Sequence, residues 1–540
     1  MRRVALLLLV SVPVAAWADG HVEPAATRWG GVRAGSHAVG FDVRVGVDPE
    51  RRVNATDPGT RIGIAIWYPA DRRTAASALT TLDYRLLTSA RPLDAAQRHT
   101  IEEEEIGALM AWRHVGIVEL TREQARASLA TGGIATRAAP PASGRFPVVL
   151  ILGGQYYLAT TAEILASHGF LVAAPFRFVD QANEIGTMQF TWSLENSVRD
   201  AEWALRELEV HPQADLRSIA TLGHGGGGVQ ALLLAMRNRR ITAVANLDAG
   251  NFSTRTGARN VPFYSPRLTR APYLYLATAS TRKSQDLFDD FVAMRFSDRY
   301  EVILETPDLR HHDLSDLGRG VTAPLSIRGP NQPAIEAAYA RSHDILVRFL
   351  QEQAAAPTDA SRYAGWLRGQ AAPGQTSVTV RPGVQPAPSP VHVLETLGPR
   401  TADVIRSARQ RDPEAELFQP DTLGRIVDRA IDTGNLPVAR AVSDTAVEIH
   451  PDNPRLLDRS SHVLEALGDL ASARARAARC AALEAPDAAG VRLRAVKLQR
   501  GRLDVRCALS SPPLASCCPK SVGQRRIVGA PQRLGVSSRP

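Results

Sequence analysis

Gly223-His224-Gly225-Gly226-Gly227 follows a short apolar run, Ile219 to Leu222, and precedes a helix-compatible run from Val229 to Met236. That is the layout of a nucleophile elbow, G-x-S-x-G on a sharp turn between a strand and a helix, which holds a hydroxyl clear of the backbone to attack an acyl carbon. Two further residues would complete such chemistry. Asp248 ends the segment AVANLD, 23 residues beyond position 225, and His311 opens H-H-D-L-S-D, 63 residues beyond Asp248. In that order the acid orients the imidazole, and the imidazole takes the proton of the nucleophile. The expected oxyanion donors are backbone N–H groups, one from Gly226 and one from the loop near Gly154 or Gln155. The nucleophile position, 225, is itself glycine. The frame of a serine hydrolase is present without its serine, and no second G-x-S-x-G occurs in the chain.

Other polar clusters read as structure. Four consecutive carboxylates, Glu102 to Glu105, point in different directions around a helix and suit a solvated face better than a metal site. His312 and Asp313 have no companion ligand cluster, so no metal and no cofactor is expected. His224 reads as a neighbour of the site and not its base, and His168 as a cation closing the helix that ends ASHG.

The elements that must position these residues alternate in type. Val39 to Val47 and Arg61 to Ala70 read as strands, and Leu82 to Leu129 reads as mainly helical. After the turn-rich break at Pro140 to Gly144 come strand Pro147 to Leu152, helix Thr160 to His168, strand Phe170 to Ala174 and helix Leu194 to Leu208. Strand Ser218 to Leu222, helix Val229 to Asn238, strands Ile241 to Leu247, Pro272 to Ala277 and Tyr300 to Glu305, and helix Ile335 to Gln351 complete the series. Alternation with short loops predicts an α/β fold, a mostly parallel sheet covered on both faces, with reactive residues on loops beyond the carboxyl ends of the strands.

With these pieces in place, the chain resembles the bacterial relatives of platelet-activating-factor acetylhydrolase, grouped with dienelactone-hydrolase-like esterases. The matching pieces are the strand ending WYPA, the segment ILGGQYYLATTAEILASHGFLVAAP, the elbow LGHGGGG, the acid in NLDAG and the histidine in HHDLSD. The resemblance spans Val39 to Gln351 and implies an α/β-hydrolase fold with an ancestral activity on short-acyl carboxylic esters. It also implies that serine would be the nucleophile at 225, Asp248 the acid and His311 the base. The chain departs from that pattern where it reads G-H-G-G-G-G in place of G-H-S-x-G-G. It also lacks the cysteine that dienelactone-type relatives use there, and the His-Gly dipeptide usual before Gly154.

The remainder of the 540 residues divides by composition. Met1 to Ala18 reads as a signal peptide: basic Arg2-Arg3, an apolar run from Val4 to Ala16, and an Ala16-Trp17-Ala18 cleavage site. An exported protein, periplasmic or secreted, is expected, and no stretch reaches the ~18 apolar residues of a membrane span. Residues 19–353 form the α/β-hydrolase domain, and Ala354 to Val393, rich in Pro, Ala, Gly and Ser, reads as a linker. Within 394–490 the pattern repeats itself: Leu423 recurs as Leu457, Gly434 as Gly468 and Ala439 as Ala473. That period resembles tetratricopeptide repeats, a helical solenoid and a surface for a protein partner, with a degraded unit from about Val391 to Asp412 capping the array. Residues 491–540 read as a basic, disordered tail or a frameshifted end. From Asp487 to Pro540 there are eleven Lys+Arg against two Asp+Glu, the whole formal charge of +9, so the rest is near neutral and no nucleic-acid partner is indicated.

The functional expectation is an α/β-hydrolase-fold protein of the carboxylic-ester class, catalytically impaired at Gly225, with a pocket for a small ester or lipid-like ligand. Two alternatives stand beside it: an esterase in which His311 and Asp248 activate water directly, and a scaffold whose repeats carry the function.

Overall fold

Unbroken apolar runs set the centre of the fold, because strands buried on both faces have no polar side to show. The computed structural model describes residues 29–484, apart from 53–55, 57, 72–77, 88–92, 112–118, 155–157, 178–189, 250–256, 284–287, 317, 323–324, 326–327 and 356–359. In chain order the strands are β1 Ala38–Asp48, β2 Thr60–Ala70, β3 Ala78–Thr80, β4 Gly132–Arg137, β5 Phe146–Leu152, β6 Leu171–Phe176, β7 Ala214–His224, β8 Ala243–Leu247, β9 Tyr273–Thr278, β10 Arg299–Leu304 and β11 Thr376–Arg381. Among the described residues these eleven form one sheet in the order β11-β10-β9-β8-β7-β5-β6-β2-β1-β4-β3. Strands β6, β5, β7, β8, β9 and β10 run parallel to one another, whereas β2 runs antiparallel to both β6 and β1.

Both faces are covered. Along β5, Val149 and Ile151 point into one core with helices α1 (Ala159–Ser167) and α4 (Gln332–Ala354). Val148, Leu150 and Leu152 point into the other with α2 (Phe190–Leu208) and α3 (Gly226–Arg237). The order reverses at β5, which has β6 on one side and β7 on the other, so a crevice opens at the carboxyl ends of these strands. The result is the α/β-hydrolase fold, with a strand–turn–helix elbow between β7 and α3.

The expected linker, 354–393, is built differently. It contains a helix, Ala360–Arg368, that buries Tyr363 and Leu367, and β11, which pairs antiparallel with β10 at the sheet edge. Composition obscured the segment TSVTVR, whose β-branched residues fit an edge strand. The first compact unit accordingly runs to Val384 and the second begins at Gln385. Strands β3 and β4 also lie in stretches whose pattern gave no strand signal.

The second unit is helical: Pro390–Glu395, then α5 Thr401–Arg411, α6 Pro420–Asp432, α7 Leu436–Ile449, α8 Pro454–Ala466 and α9 Leu470–Glu484. The internal echo has a local cause. Gly434 and Gly468 both adopt positive φ just after a helix, and Asn435 and Asp469 then cap the next helix by accepting N–H bonds from Val438 and Ser472. Leu423 and Leu457 are fully buried. The signal segment 1–18 and the tail 491–540 lie outside the described residues. No helix among the described residues is long and apolar enough to cross a membrane.

Candidate active site

Strand β7 carries the chain out of the sheet at His224, and α3 begins two residues later. At the hinge, Gly225 has φ 54° and ψ −123°, a conformation that L-residues rarely hold. Its N–H donates to Leu247 O at 3.1 Å, which ties the turn to the end of β8. The turn is also crowded. A Cβ on Gly227 would lie 2.1 Å from Leu152 O, and one on Gly228 would lie 2.2 Å from Asn246 Oδ1. Glycine at 223 likewise leaves room for the backbone of Gly227, so the tight positions include Gly228, which the motif alone did not single out.

Position 225 differs from these. Among the described residues, a Cβ there would meet only His311, at 3.0 Å from Nε2 and 3.2 Å from Cε1. The nucleophile position therefore faces the imidazole. The opposite ring nitrogen, Nδ1, lies 2.8 Å from Asp248 Oδ2.

Asp248 lies one residue past β8 and is fully buried, with φ 51°. Its carboxylate is held by groups that the sequence did not reveal. Thr278 N–H donates to Oδ1 at 2.7 Å, Thr281 Oγ1 donates to Oδ2 at 2.8 Å, and Thr278 Oγ1 is 3.3 Å from both oxygens. With Nδ1–H of His311 also donating, the carboxylate is well supplied as an anion. Thr278 ends β9 and Thr281 lies in the short helix Ala279–Lys283 that follows it. The only sequence signal was a pair of hydroxyls at the carboxyl end of a neighbouring parallel strand.

His311 begins a short 3-10 turn, His311–Leu314, anchored by Asp313. Asp313 is buried, accepts Arg310 N–H at 2.8 Å and pairs with Arg328 at 3.1 Å. Thus Asp313 shapes the loop that carries His311. Among the described residues no group of three His, Cys, Asp or Glu is placed to hold a metal.

His224 stacks on His311 at 4.3 Å between ring centroids, and its Nε2–H donates to His311 O at 2.9 Å. Burial, reinforced by repulsion from His311, pushes its pKa down to about 3. It is neutral, with its proton fixed on Nε2, and it braces the loop that carries His311. His312 is likewise pushed down to about 4, by burial first and His311 second. His168, expected as a cation, is held below the usual range by burial and caps α1 as a neutral ring; its Nε2 lies 3.1 Å from Arg33 O. The run Glu102 to Glu105 lies on a helix whose carboxylates pair with Arg85, Arg122 and Arg126.

For the oxyanion donors, Gly226 is the first residue of α3, where N–H groups have no intrahelical acceptor. Gly153 (φ 74°) and Gly154 (φ 150°) follow β5, and a Cβ on Gly153 would lie 2.4 Å from Gly227 Cα. The β5 loop and the elbow therefore touch. Gln155 lies outside the described residues.

No family model matches the chain, and no curated protein matches it. Among solved structures it is similar to a ferulic acid esterase from Streptomyces cinnamoneus, at 16% identity and a TM-score of 0.40, over 64% of this chain and 96% of that one. A likeness so distant carries no argument about chemistry.

Proposed function

We propose that this chain is an exported α/β-hydrolase related to the platelet-activating-factor acetylhydrolase-like esterases, that it has lost its nucleophile, and that it turns esters over poorly or not at all. It keeps a site for a small ester or lipid-like ligand. The observation that carries this reading is Gly225 in the nucleophile conformation, with its absent side chain directed at Nε2 of an imidazole that Asp248 already orients. A general base without a nucleophile lacks the step on which acyl transfer depends. Loss of the serine alone costs about six orders of magnitude in kcat where it has been measured.

A second reading keeps slow catalysis. Nε2 of His311 is directed at the elbow while Nδ1 is tied to Asp248, and that dyad suits activation of water on a reactive ester. The helical unit, tetratricopeptide-like in its period, is read as the place where a protein partner docks.

The test is hydrolysis of a short-chain aryl ester by the parent protein and by Gly225→Ser. A serine there places Oγ within reach of Nε2 once the ring gives way by a few tenths of an ångström. An inactive parent and an active serine variant are expected. Robust turnover by the parent overturns the reading. Slow parent turnover that forms no acyl-enzyme and vanishes in His311→Ala selects the water route.

A further inference from the structure

Three backbone segments meet at the site, and the contacts between them form a closed triangle. The elbow touches the β5 loop, where a Cβ on Gly153 would run into Gly227. The elbow also holds the loop of His311, because His224 Nε2–H donates to His311 O. The third side joins the His311 loop to the β5 loop, and it rests on Asp316.

Helix α1 begins directly after the β5 loop, and its N-cap residue is Leu158, which makes no side-chain cap bond. Leucine has no acceptor for the first amides of a helix. Asp316 supplies one from 156 residues away: Thr160 N–H donates to its Oδ2 at 2.8 Å. Thr160 is the second residue of α1, a position that an N-cap side chain ordinarily serves. Both residues are buried, and the carboxylate meets the positive end of the helix dipole. The same turn of α1 is tied to α4, since Thr161 Oγ1 lies 3.0 Å from Nε2 of His343.

Little slack separates Asp316 from His311. Ser315 N–H and Ser315 Oγ each donate to His312 O at 3.0 Å, and Gly318 N–H donates to it at 3.1 Å. Arg319 N–H donates to Ser315 O at 3.2 Å, and a Cβ on Gly318 would lie 2.4 Å from His312 C. A shift of Asp316 is passed on to His311 and not absorbed between them.

We propose that Asp316 is a positioning residue of the site: by capping α1 from the His311 loop, it sets where the imidazole stands relative to the β5 loop. The proposal rests on the reading of the elbow as a hydrolase site. Asp316 touches no reacting atom. It acts through the separation between the base and the oxyanion side, on which proton transfer and polarisation of the acyl group both depend.

The test compares Asp316→Ala and Asp316→Asn, each in the full-length parent and in Gly225→Ser. In Gly225→Ser, Asp316→Ala is expected to lower kcat for a short-chain aryl ester by about tenfold or more, with KM held within about twofold. Asp316→Asn keeps an oxygen that accepts Thr160 N–H, and its kcat should stay within roughly threefold of the Asp316 protein. An unchanged kcat in Asp316→Ala overturns the proposal, and so does an Asp316→Asn as slow as Asp316→Ala. Should Asp316→Ala not fold, Asp316→Ser, with its shorter side chain, takes its place.

The parent background separates this outcome from failure of the hydrolase reading, because no turnover is needed there. Asp316→Ala should speed hydrogen exchange at the amides of Thr160, Ser315 and Gly318 by about tenfold or more, with Val244 and Leu247 of β8 still protected. If Gly225→Ser is inactive, the hydrolase reading fails and exchange alone decides. Joint loosening of helix and loop then upholds the brace; loosening at Thr160 with Ser315 and Gly318 unchanged overturns it.

Discussion

The two sides of the elbow site are built on the same backbone risk and resolve it in opposite ways. Gly225 and Asp248 both sit at positive φ, 54° and 51°, at the ends of adjacent strands. A non-glycine residue in that region costs roughly 1–2 kcal/mol. At Asp248 the cost is offset by donors from Thr278, Thr281 and His311 to a fully buried carboxylate. At 225 glycine has no side chain to strain. The acid–imidazole side is over-determined by its surroundings, with donors from three residues on one buried carboxylate. On the nucleophile side, among the described residues, a Cβ would meet His311 alone.

The sharpest way to break this comparison starts from Gly225→Ser, adding Asp248→Asn. If the acid side is still competent, kcat for an aryl ester should fall by about 10⁴-fold, because the amide stabilises the wrong imidazole tautomer. An unchanged kcat would mean that Asp248 is only structural.

Next in size, the crowded glycines should not tolerate what position 225 tolerates. Gly227→Ala drives a methyl group into Leu152 O and should cost about 3 kcal/mol, the upper end for overpacking. Gly225→Ala should cost only about 1–2 kcal/mol, the strain alone. Denaturant midpoints of both variants against the parent decide it, and equal losses would erase the distinction between the two positions.

A pH series sharpens the role of His224. Its folded pKa, about 3, is below the ordinary 6.5, so between those values the unfolded chain binds the proton that the folded chain refuses. Stability should therefore fall as pH drops from 6.5 toward 3, with a slope of up to about 1.4 kcal/mol per pH unit from this group. Buried His343, pushed down to about 4, acts in the same direction. His224→Gln keeps an N–H for His311 O and should flatten the slope; an unaltered slope would show that His224 titrates normally.

The smallest effect is expected at the acid's support. Thr281→Val removes one donor to Asp248 Oδ2 and should cost about 1 kcal/mol, read from the thermal midpoint. No loss would mean that water replaces the hydroxyl.

Much of the fold was legible because it rests on local pattern. FPVVLIL and AVANL are almost wholly apolar, as strands buried on both sides must be, and glycine between such a strand and a helix marks the elbow. The echo in the helical unit was legible for the same reason, since Gly434 and Gly468 each end a helix by local backbone conformation. By contrast, β11 was hidden: its partner β10 lies far earlier in the chain, and Pro- and Gly-rich neighbours dominated the local reading.

By itself, then, the sequence determined the order of the central strands and helices from β5 to β10 and the absence of a serine at position 225, since these are properties of residue type and near-neighbour spacing. Only the tertiary structure decided that Asp248 and His311, 63 residues apart, meet at 2.8 Å, that Thr278 and Thr281 hold the acid, and that His224 is neutral and braces the loop. Those facts depend on which strand ends the sheet brings side by side. Nothing in a local pattern encodes them, because sheet order is set by long-range burial.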